Sequence, residues 1–355
     1  MVRVRAPILH RRRLARQDPQ GAPKPTVIDV AQKAGVSSAT VSRVLNGKAS
    51  VTAETRELVL GAVRKLGFHP NTMAQGLRKG QSNTIALLVG DIEQTHFSSL
   101  TNHIQSTLEQ SGVDLLLYNL GHSEDRLINF LPRAVTMRLK GVVLALSDDV
   151  SKAVLPLLDH LRENGLLVVA VGQNLNRYKI PSIVHEERAA AHTAVRYLLS
   201  QERRKIAYVG RIKGSSVGTE RFRGYKAALS QPSDLFDPNL VWDVAFRYAA
   251  GRDAVARALQ QGLHFDGIQA GSDELAMGAL AALYDRGLNV PKDVAVIGFG
   301  GLEMGAYTCP SLTSMSSHPD IAAEHLRAIL RGVDRGEAPL ALTTVQRKLI
   351  RRQSA

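Results

Sequence analysis

The spacing of apolar residues changes near residue 84, and the change predicts two kinds of structure in one chain. Within residues 26–67, three segments repeat apolar residues at intervals of three and four, the period of a helix packed on one face. Thr26, Ser37 and Thr52 precede these segments as candidate N-caps, and Gly35 ends the first of them. The first two helices are separated by only three residues, which predicts a helix-turn-helix with a third helix packed on it.

The same spacing predicts which residues form the core of this three-helix unit. The second helix is expected to bury Ala39, Val41, Val44 and Leu45, and the third to bury Leu58, Val59, Ala62, Val63 and Leu66.

From residue 84 onward, short apolar runs alternate with segments of helical period. Two series of strands are predicted, at 85–89, 113–118, 141–146 and 166–171, and then at 205–209, 240–244, 267–270 and 294–299. Helices are predicted between them, at 97–111, 125–138, 219–229, 250–260 and 273–286. Alternation of this kind indicates parallel sheets with helices on both faces, and two series indicate two lobes with a cleft between them.

Three phrases of the chain resemble the lactose-repressor (LacI) family of transcription regulators: DVAQKAGVSSATVSRVLNG, VTAETRELVLGAVRKLGFHPN and AQGLRKGQSNTIALLV. The resemblance continues more loosely to about residue 350, and the GFxG pattern at Gly298 resembles repressors of gluconate-type pathways. It implies an N-terminal all-α helix-turn-helix headpiece and an α/β, two-lobed core with parallel sheets, like a periplasmic binding protein.

The domain boundaries expected from the pattern and the resemblance are a disordered basic arm at 1–25, the headpiece at 26–70, a hinge helix and linker at 71–81, and the core at 82–355. By resemblance the chain crosses between the lobes three times, near 183–187, 313–318 and 337–343.

Positive charge is concentrated at the N-terminal end of the chain. The whole chain has 45 Lys and Arg against 32 Asp and Glu, and residues 1–80 carry 15 against 4 of them. A basic helix-turn-helix on a nearly neutral body favours DNA as the partner. Arg11, Arg12 and Arg13 either add phosphate contacts or have no role.

The second helix of a helix-turn-helix lies in the major groove of DNA, with its N-terminal side chains near the base edges. Here those are Ser38, Ala39, Ser42 and Arg43, of which the first two align with base-reading positions of the family. Arg43 either grips a guanine or pairs with a phosphate. Further DNA-binding candidates, for phosphate contacts or helix capping, are Thr26, Ser37, Thr40, Asn46 and Thr52.

By resemblance, residues 71–78 form a hinge helix that folds on operator DNA. Asn71, Ala74 and Leu77 are its candidate DNA contacts, with Leu77 as a wedge in the minor groove. The alternative for Leu77 is a place in the core of an amphipathic linker.

The resemblance also implies an effector pocket in the cleft. Arg221 matches the arginine that binds the effector, and Phe246 matches an aromatic that covers the ligand ring. The loop after the first strand adds Asp91, Gln94, His96 and Phe97, where His96 is either an anion ligand or a structural histidine. Three further positions depart from the family pattern: Gln173 after Gly172, the pair Ser272 and Asp273, and Gly300.

Carboxylates common in the family are missing at positions 172 and 300, while the arginine is kept. We therefore expect a pocket of positive potential and an acidic effector, such as a sugar acid.

Other classes of protein fit the sequence poorly. Glycine spacing excludes a dinucleotide loop at 210–218, and the run from His185 to Arg188 lacks the second histidine of a zinc motif. No Walker loop or nucleophile elbow is found. A solute-binding protein would share the core but not the headpiece. A DNA-binding protein whose decayed core senses no ligand stays open as an alternative.

The function expected is that of a cytoplasmic, nucleoid-associated bacterial regulator, acting without cofactor or metal. Its expected partners are a pseudo-palindromic double-stranded operator, a small effector and a second copy of itself, with no membrane. The single cysteine, Cys309, fits a reducing compartment, and no apolar run reaches the length of a membrane span.

Overall fold

In the computed structural model of the protein, residues 25–45, 51–68, 82–230 and 235–355 are described. The chain divides into two compact units, Met1–Arg78 and Lys79–Ala355. The first contains the headpiece and the second the core.

The described residues of the headpiece form three helices: α1 (Val27–Ala34), α2 (Ser38–Leu45) and α3 (Ala53–Leu66). Thr26 and Asp29 form a capping box at the start of α1, in which the Thr26 amide donates to Asp29 at 2.7 Å. Gly35 ends α1 in the left-handed region, with φ of 66°, a conformation that glycine adopts without steric strain because it has no Cβ atom. These local signals were visible in the sequence and set the short turn between α1 and α2.

Apolar side chains of all three helices meet in one small core. Val30, Val41 and Val59 are fully buried in it. Two of the predicted core positions were wrong, since Leu58 is 55% exposed and Ala39 is exposed. The buried face of α3 contains Val59 and Ala62, and a residue one position earlier points about 100° away around the helix.

The first lobe of the core has a six-stranded parallel sheet in the order β11-β5-β4-β3-β1-β2. Its strands are β1 (Thr84–Val89), β2 (Asp114–Asn119), β3 (Gly141–Ala145), β4 (Leu167–Val171), β5 (Ser182–His185) and β11 (Leu342–Val345). Its helices are α4 (Thr95–Glu109), α5 (Glu124–Thr136), α6 (Leu155–Glu163) and α11 (Pro319–Asp334).

The second lobe repeats this arrangement, with strand order β12-β10-β9-β8-β6-β7 and one antiparallel pair, β10 with β12. Its strands are β6 (Ile206–Gly210), β7 (Val241–Asp243), β8 (Gly267–Ala270), β9 (Ala295–Gly300), β10 (Thr313–Ser316) and β12 (Leu349–Ile350). Its helices are α7 (Glu187–Ser200), α8 (Ser216–Leu229), α9 (Tyr248–Gln260) and α10 (Asp273–Asp285).

Each sheet separates two apolar layers, because alternate strand residues face helices on opposite sides. In β1, Leu87 packs in the layer that contains α4 and α11, whereas Leu88 packs in the layer that contains α5 and α6. The fold class expected from the sequence is confirmed: an all-α headpiece and two α/β lobes whose sheets are mostly parallel.

Three segments connect the lobes. The chain crosses from β5 to α7 at residues 185–187, from β10 to α11 at 317–318, and from β11 to β12 at 346–348. The first two crossings lie within the predicted ranges. The predicted third crossing, at 337–343, was wrong, because residues 342–345 still pair with β5 as strand β11.

The buried layers predict a clear contrast between two leucine truncations in the first lobe. Leu161 of α6 is fully buried and Leu340 is 70% exposed. Leu161→Ala should lower the free energy of unfolding by about 2–5 kcal/mol, because it leaves a cavity. Leu340→Ala should change it by less than about 0.5 kcal/mol. Urea unfolding followed by circular dichroism measures both, and equal losses would contradict this assignment of the core.

Candidate functional site

A cavity lies between the two lobes, at the carboxyl ends of the parallel strands, where open α/β sheets commonly bind ligands. Eight of the ten residues predicted for the effector line it: Gln94, His96, Phe97, Arg221, Phe246, Ser272, Asp273 and Gly300. They come from both lobes, and they meet because each follows the end of a strand or begins the helix after it.

The other two predicted effector residues do not line this cavity. Asp91 is buried and pairs with Arg247 of the second lobe. Gln173 is buried too, and its amide donates to the backbone oxygens of Leu146, at 3.1 Å, and Asp148. Their polar groups are used in contacts within the protein.

A buried ion network lines part of the cavity. Arg221 donates from Nε and Nη2 to the carboxylate of Glu187 at 2.9 and 3.1 Å. Arg347 donates from Nη2 to the same carboxylate at 2.8 Å. The side chains of Arg347 and Glu187 are only 2% and 6% exposed. One largely buried carboxylate is therefore shared by two guanidinium groups, of which that of Arg221 is 11% exposed.

The network lies where the three crossing segments meet. Glu187 is the last residue of the first crossing, and Arg347 belongs to the third. Arg347 also donates to the backbone oxygen of Ser316 at 2.8 Å, and His185 donates to that of Ser317 at 2.6 Å, so the second crossing is held as well. Atoms that line the cavity thus belong to the segments about which the lobes can move.

Charge pairing keeps Glu187 ionised despite its burial. Burial alone would raise the pKa of Glu187, but Arg221 and Arg347 outweigh it and hold that pKa well below its usual range. Such a carboxylate is favourable only while its partners stay in place, because removal of one partner leaves a buried charge unpaired.

The two histidines beside the network are neutral. Burial, together with the positive charge of Arg347, lowers the pKa of His96 to about 4 and that of His185 to about 3. His96 can therefore offer a neutral hydrogen bond to a ligand, but not the positive charge considered for it from the sequence.

The carboxylate of Asp273 lies beside Gly300, where the sequence lacks a carboxylate common in the family. It accepts hydrogen bonds from the Ser314 hydroxyl at 2.5 Å and the Leu302 amide at 2.7 Å. A Cβ atom on Gly300 would lie 3.1 Å from Oδ2 of Asp273, and its φ of 148° also favours glycine. Burial raises the pKa of Asp273. Its hydrogen bond with Leu302 holds the loop after β9 in place.

The cavity as a whole is not positive, contrary to the expectation from positions 172 and 300. The guanidinium groups of Arg221 and Arg347 are offset by the carboxyl groups of three other lining residues, Glu187, Asp273 and Glu274. The Asp273 carboxylate accepts its hydrogen bonds from residues of its own lobe. The Glu274 carboxylate accepts a hydrogen bond from the backbone amide of Thr95 in α4 at 2.7 Å. The excess of positive charge is confined to the part of the cavity where the guanidinium groups of Arg221 and Arg347 share the carboxylate of Glu187.

Further polar contacts join the two lobes. Asp91 pairs with Arg247, Asp148 with Arg211, and Asp149 accepts the Ser216 amide at 2.7 Å. Glu274 accepts a hydrogen bond from the backbone amide of Thr95, the first residue of α4. The side chain of Gln94, the N-cap residue of α4, makes no capping hydrogen bond to this helix. The lobes are thus held together by several contacts besides those of the ion network.

In the headpiece, α2 exposes one polar face. Ser38, Ala39, Ser42 and Arg43 are exposed, while Val41 and Val44 point into the core. Residues three and four apart lie on the same side of a helix, so the exposed four form one surface.

The capping roles considered for three predicted DNA contacts are visible in the structure. Hydroxyl oxygens of Ser37, Thr26 and Thr52 accept the amides of Thr40, Asp29 and Thr55 at 3.1, 3.4 and 3.3 Å. Thr40 is half-buried. Asn46, Asn71, Ala74 and Leu77 lie outside the described residues, as does the basic arm.

Sequence reasoning missed Glu187 and Arg347. Glu187 was considered only as part of a zinc motif, although it lies within a predicted crossing. Arg347 was missed because the third crossing was placed too early. A charged residue predicted to be buried at a lobe crossing is the signal that points to both.

Comparisons with known proteins agree with this arrangement. Residues 26–71 match the family described as bacterial regulatory proteins, lacI family, and residues 195–355 match the periplasmic binding protein-like domain. The chain is 30% identical to the HTH-type transcriptional regulator AscG of Escherichia coli (strain K12) over 335 residues, covering 93% of this chain and 98% of AscG.

The chain belongs to the LacI family of bacterial regulatory proteins. It is a DNA-binding transcriptional regulator, and not an enzyme.

Two solved structures resemble the whole chain. The complex of the transcriptional regulator CelR with cellobiose is 26% identical, has a TM-score of 0.68, and the match covers 93% of this chain and 100% of that one. The lac repressor dimer bound to operator and the anti-inducer ONPF has a TM-score of 0.82 over 94% of this chain and 99% of that one; at 22% identity it supports the fold alone.

Within the described residues, no helix combines the length and apolar character needed to cross a membrane. Nor do three His, Cys, Asp or Glu side chains of these residues cluster in a way that would hold a metal ion.

The neutral state of His185 predicts a loss of stability in acid. Its pKa is 6.5 when unperturbed and about 3 in the folded core. Between pH 6.5 and about 3, His185 is protonated in the unfolded chain but not in the folded chain. The stabilisation is therefore complete above pH 6.5 and is lost as the pH falls toward about 3. His185→Gln keeps a hydrogen-bond donor but cannot take up that proton, so its Tm should fall less between about pH 7 and about pH 4.

Melting curves across this pH range test the assignment, with the exposed His192→Gln as the control. An equally steep fall in the His185 variant and the unmodified protein would contradict it.

Proposed function

We propose that this regulator binds a pseudo-palindromic operator as a homodimer, in the cytoplasm and on the nucleoid, and that an acidic sugar derivative in the cleft changes its operator affinity. Two observations carry the proposal: the exposed polar face of α2, and the pair of guanidinium groups that share one carboxylate in the cleft.

The face of α2 suits the major groove. Ser38 and Ala39 are small and stand at its N-terminal end, where hydroxyl and thymine-methyl contacts are possible. Arg43 is exposed one turn later and is the residue of this face able to donate two hydrogen bonds to a guanine. Ser37 and Thr52, which cap helices, are candidates for setting the register on phosphates.

Exposed apolar side chains on the second lobe favour a dimer. Tyr284, Met304 and Tyr307 are 82%, 51% and 79% exposed. Large apolar groups left in water commonly mark association surfaces, and a two-fold dimer would match the two halves of a pseudo-palindromic operator.

The cleft fits an effector with a carboxylate and several hydroxyl groups. Arg221 and Arg347 carry two positive charges and share the single negative charge of Glu187. Gln94, His96 and Ser272 add neutral polar groups to the lining of the cavity. Phe246 lines the cavity on the second lobe, where an aromatic face can cover a sugar ring. CelR, a similar regulator, was solved with the sugar cellobiose.

One observation favours a second candidate, a core that senses no ligand. Arg221 already donates to Glu187 and to the backbone oxygen of Gly271, at 2.6 Å, so most of its hydrogen bonds are made within the protein.

Operator binding is predicted to depend strongly on salt. Neutralisation of about 6–10 phosphates should reduce affinity by about 10³–10⁵ between about 50 and 200 mM salt. Arg43→Ala should lose about 1–3 kcal/mol and relax the preference at one base pair of each half-site. Binding to a library of operator variants measures this, with exposed Arg64→Ala on α3 as the control. A uniform loss for every sequence would show that Arg43 contacts phosphate only.

Arg221→Lys is predicted to weaken the effector strongly while sparing operator affinity in its absence. Lysine keeps the charge but cannot supply two parallel hydrogen bonds to a carboxylate. Exposed Arg223→Lys, on the same helix, should change nothing. Sugar acids should bind the unmodified protein more than about tenfold more tightly than the matching neutral sugars, a difference of about 1.4 kcal/mol.

Isothermal titration with gluconate, its keto derivatives, uronates and neutral hexoses decides between the candidates. Tight binding of a neutral sugar with the acids ignored would overturn the acidic effector. No binding across the whole panel would favour the core that senses no ligand.

A further inference from the structure

Arg347 has unused hydrogen-bonding capacity at a buried position. A guanidinium group has five N–H donors, and Arg347 uses Nη1 for Ser316 and Nη2 for Glu187. Its Nε is buried and has no hydrogen-bond partner among the described residues. Because buried donors are normally paired, an unpaired one beside a ligand cavity points to a group that binds there.

The two guanidinium groups form one unit. Arg221 and Arg347 bind the same carboxylate, and their Cζ atoms lie 4.3 and 4.8 Å from the centre of the same ring, that of Phe299. Contact with an aromatic ring fixes a guanidinium without using its N–H donors. Both groups are therefore oriented in advance for a planar, charged acceptor, and Glu187 is the acceptor they now hold.

We propose that Arg221 and Arg347 form a carboxylate-binding site, that Glu187 occupies it while the cleft is empty, and that the carboxylate of an acidic effector takes the place of Glu187. The last step rests on the function proposed above. The first two rest on the geometry of the network alone.

Exchange of one carboxylate for another is physically feasible here. Glu187 leaves only when a second carboxylate arrives, so neither buried cation is left without a partner. Both carboxylates could not stay together, since two anions so close in a buried site repel each other. The effector would thereby release the contact that ties the first residue of α7 to the third crossing.

Chemical rescue tests the site without knowledge of the effector. Glu187→Ala removes a fragment with the shape of acetate and leaves both arginines. In the full-length protein, sodium acetate should then raise the Tm of this variant in a saturable way, by about 2–4 °C at tenfold excess over half-saturation. Sodium chloride at the same ionic strength should not.

Three controls make this result specific. The unmodified protein should show no saturable response, because Glu187 fills the site. Exposed Glu186→Ala should behave like the unmodified protein. The double variant Glu187→Ala with Arg347→Met should lose the response to acetate. If acetate does not stabilise Glu187→Ala, or stabilises the double variant equally, the proposal is wrong.

Should Glu187→Ala fail to fold, Glu187→Gln gives the same test, because it keeps the volume and removes the charge. Acetate should displace the neutral amide and raise the Tm saturably, and a flat response would again overturn the site.

A second titration tests the displacement step. With gluconate as the probe, Glu187→Gln should bind at least tenfold more tightly than the unmodified protein, because the competing carboxylate is gone. Weaker binding by this variant would show that Glu187 helps to hold the ligand, and would overturn displacement while leaving the acidic effector intact. Rescue by acetate, with no sugar acid bound by either protein, would instead refute the acidic effector and leave the carboxylate-binding site standing.

Discussion

The carboxylate of Glu187, buried between Arg221 and Arg347, is the interaction on which the rest of the core depends. It joins the first and third crossing segments, and through Arg347 it reaches the backbone of the second. Burial of three charged groups is costly, and a network of this kind is stable only while every partner is present. The same three side chains line the ligand cavity. A change in what these three side chains bind therefore acts directly on the segments that link the lobes.

Much of the fold followed from periodicity and local signals. Thr26 and Gly35 marked the ends of α1, and alternating apolar runs gave the two parallel sheets, because burial on both faces leaves a strong pattern. The third crossing could not be located in the same way. Residues 342–345 form an edge strand of mixed polarity, exposed along most of its length, and such a strand has no continuous apolar run. The exposed position of Leu58 shows the matching weakness, since apolar character alone does not tell which side of a helix is buried.

The candidate site was predictable in its location but not in its chemistry. Eight effector candidates meet in one cavity because topology places the ends of successive strands together. The direction of each polar group was not visible in the sequence. Asp273 turns to the Leu302 amide, Asp91 pairs with Arg247 across the cleft, and Arg221 finds Glu187 thirty-four residues away in sequence. Contacts of this kind depend on packing between elements distant in the chain, and they decide the local charge of the pocket.

The distance between the lobes tests most directly whether the shared carboxylate governs their arrangement. Spin labels at Glu163 of α6 and Asp253 of α9, both exposed, would report this distance in a Cys309→Ser background, with labelled protein diluted into unlabelled protein. If the network holds the crossing segments, Glu187→Gln will shift the distance distribution and broaden it, and the exposed Glu186→Gln will leave it unchanged. Identical distributions for Glu187→Gln and the unmodified protein would contradict the account.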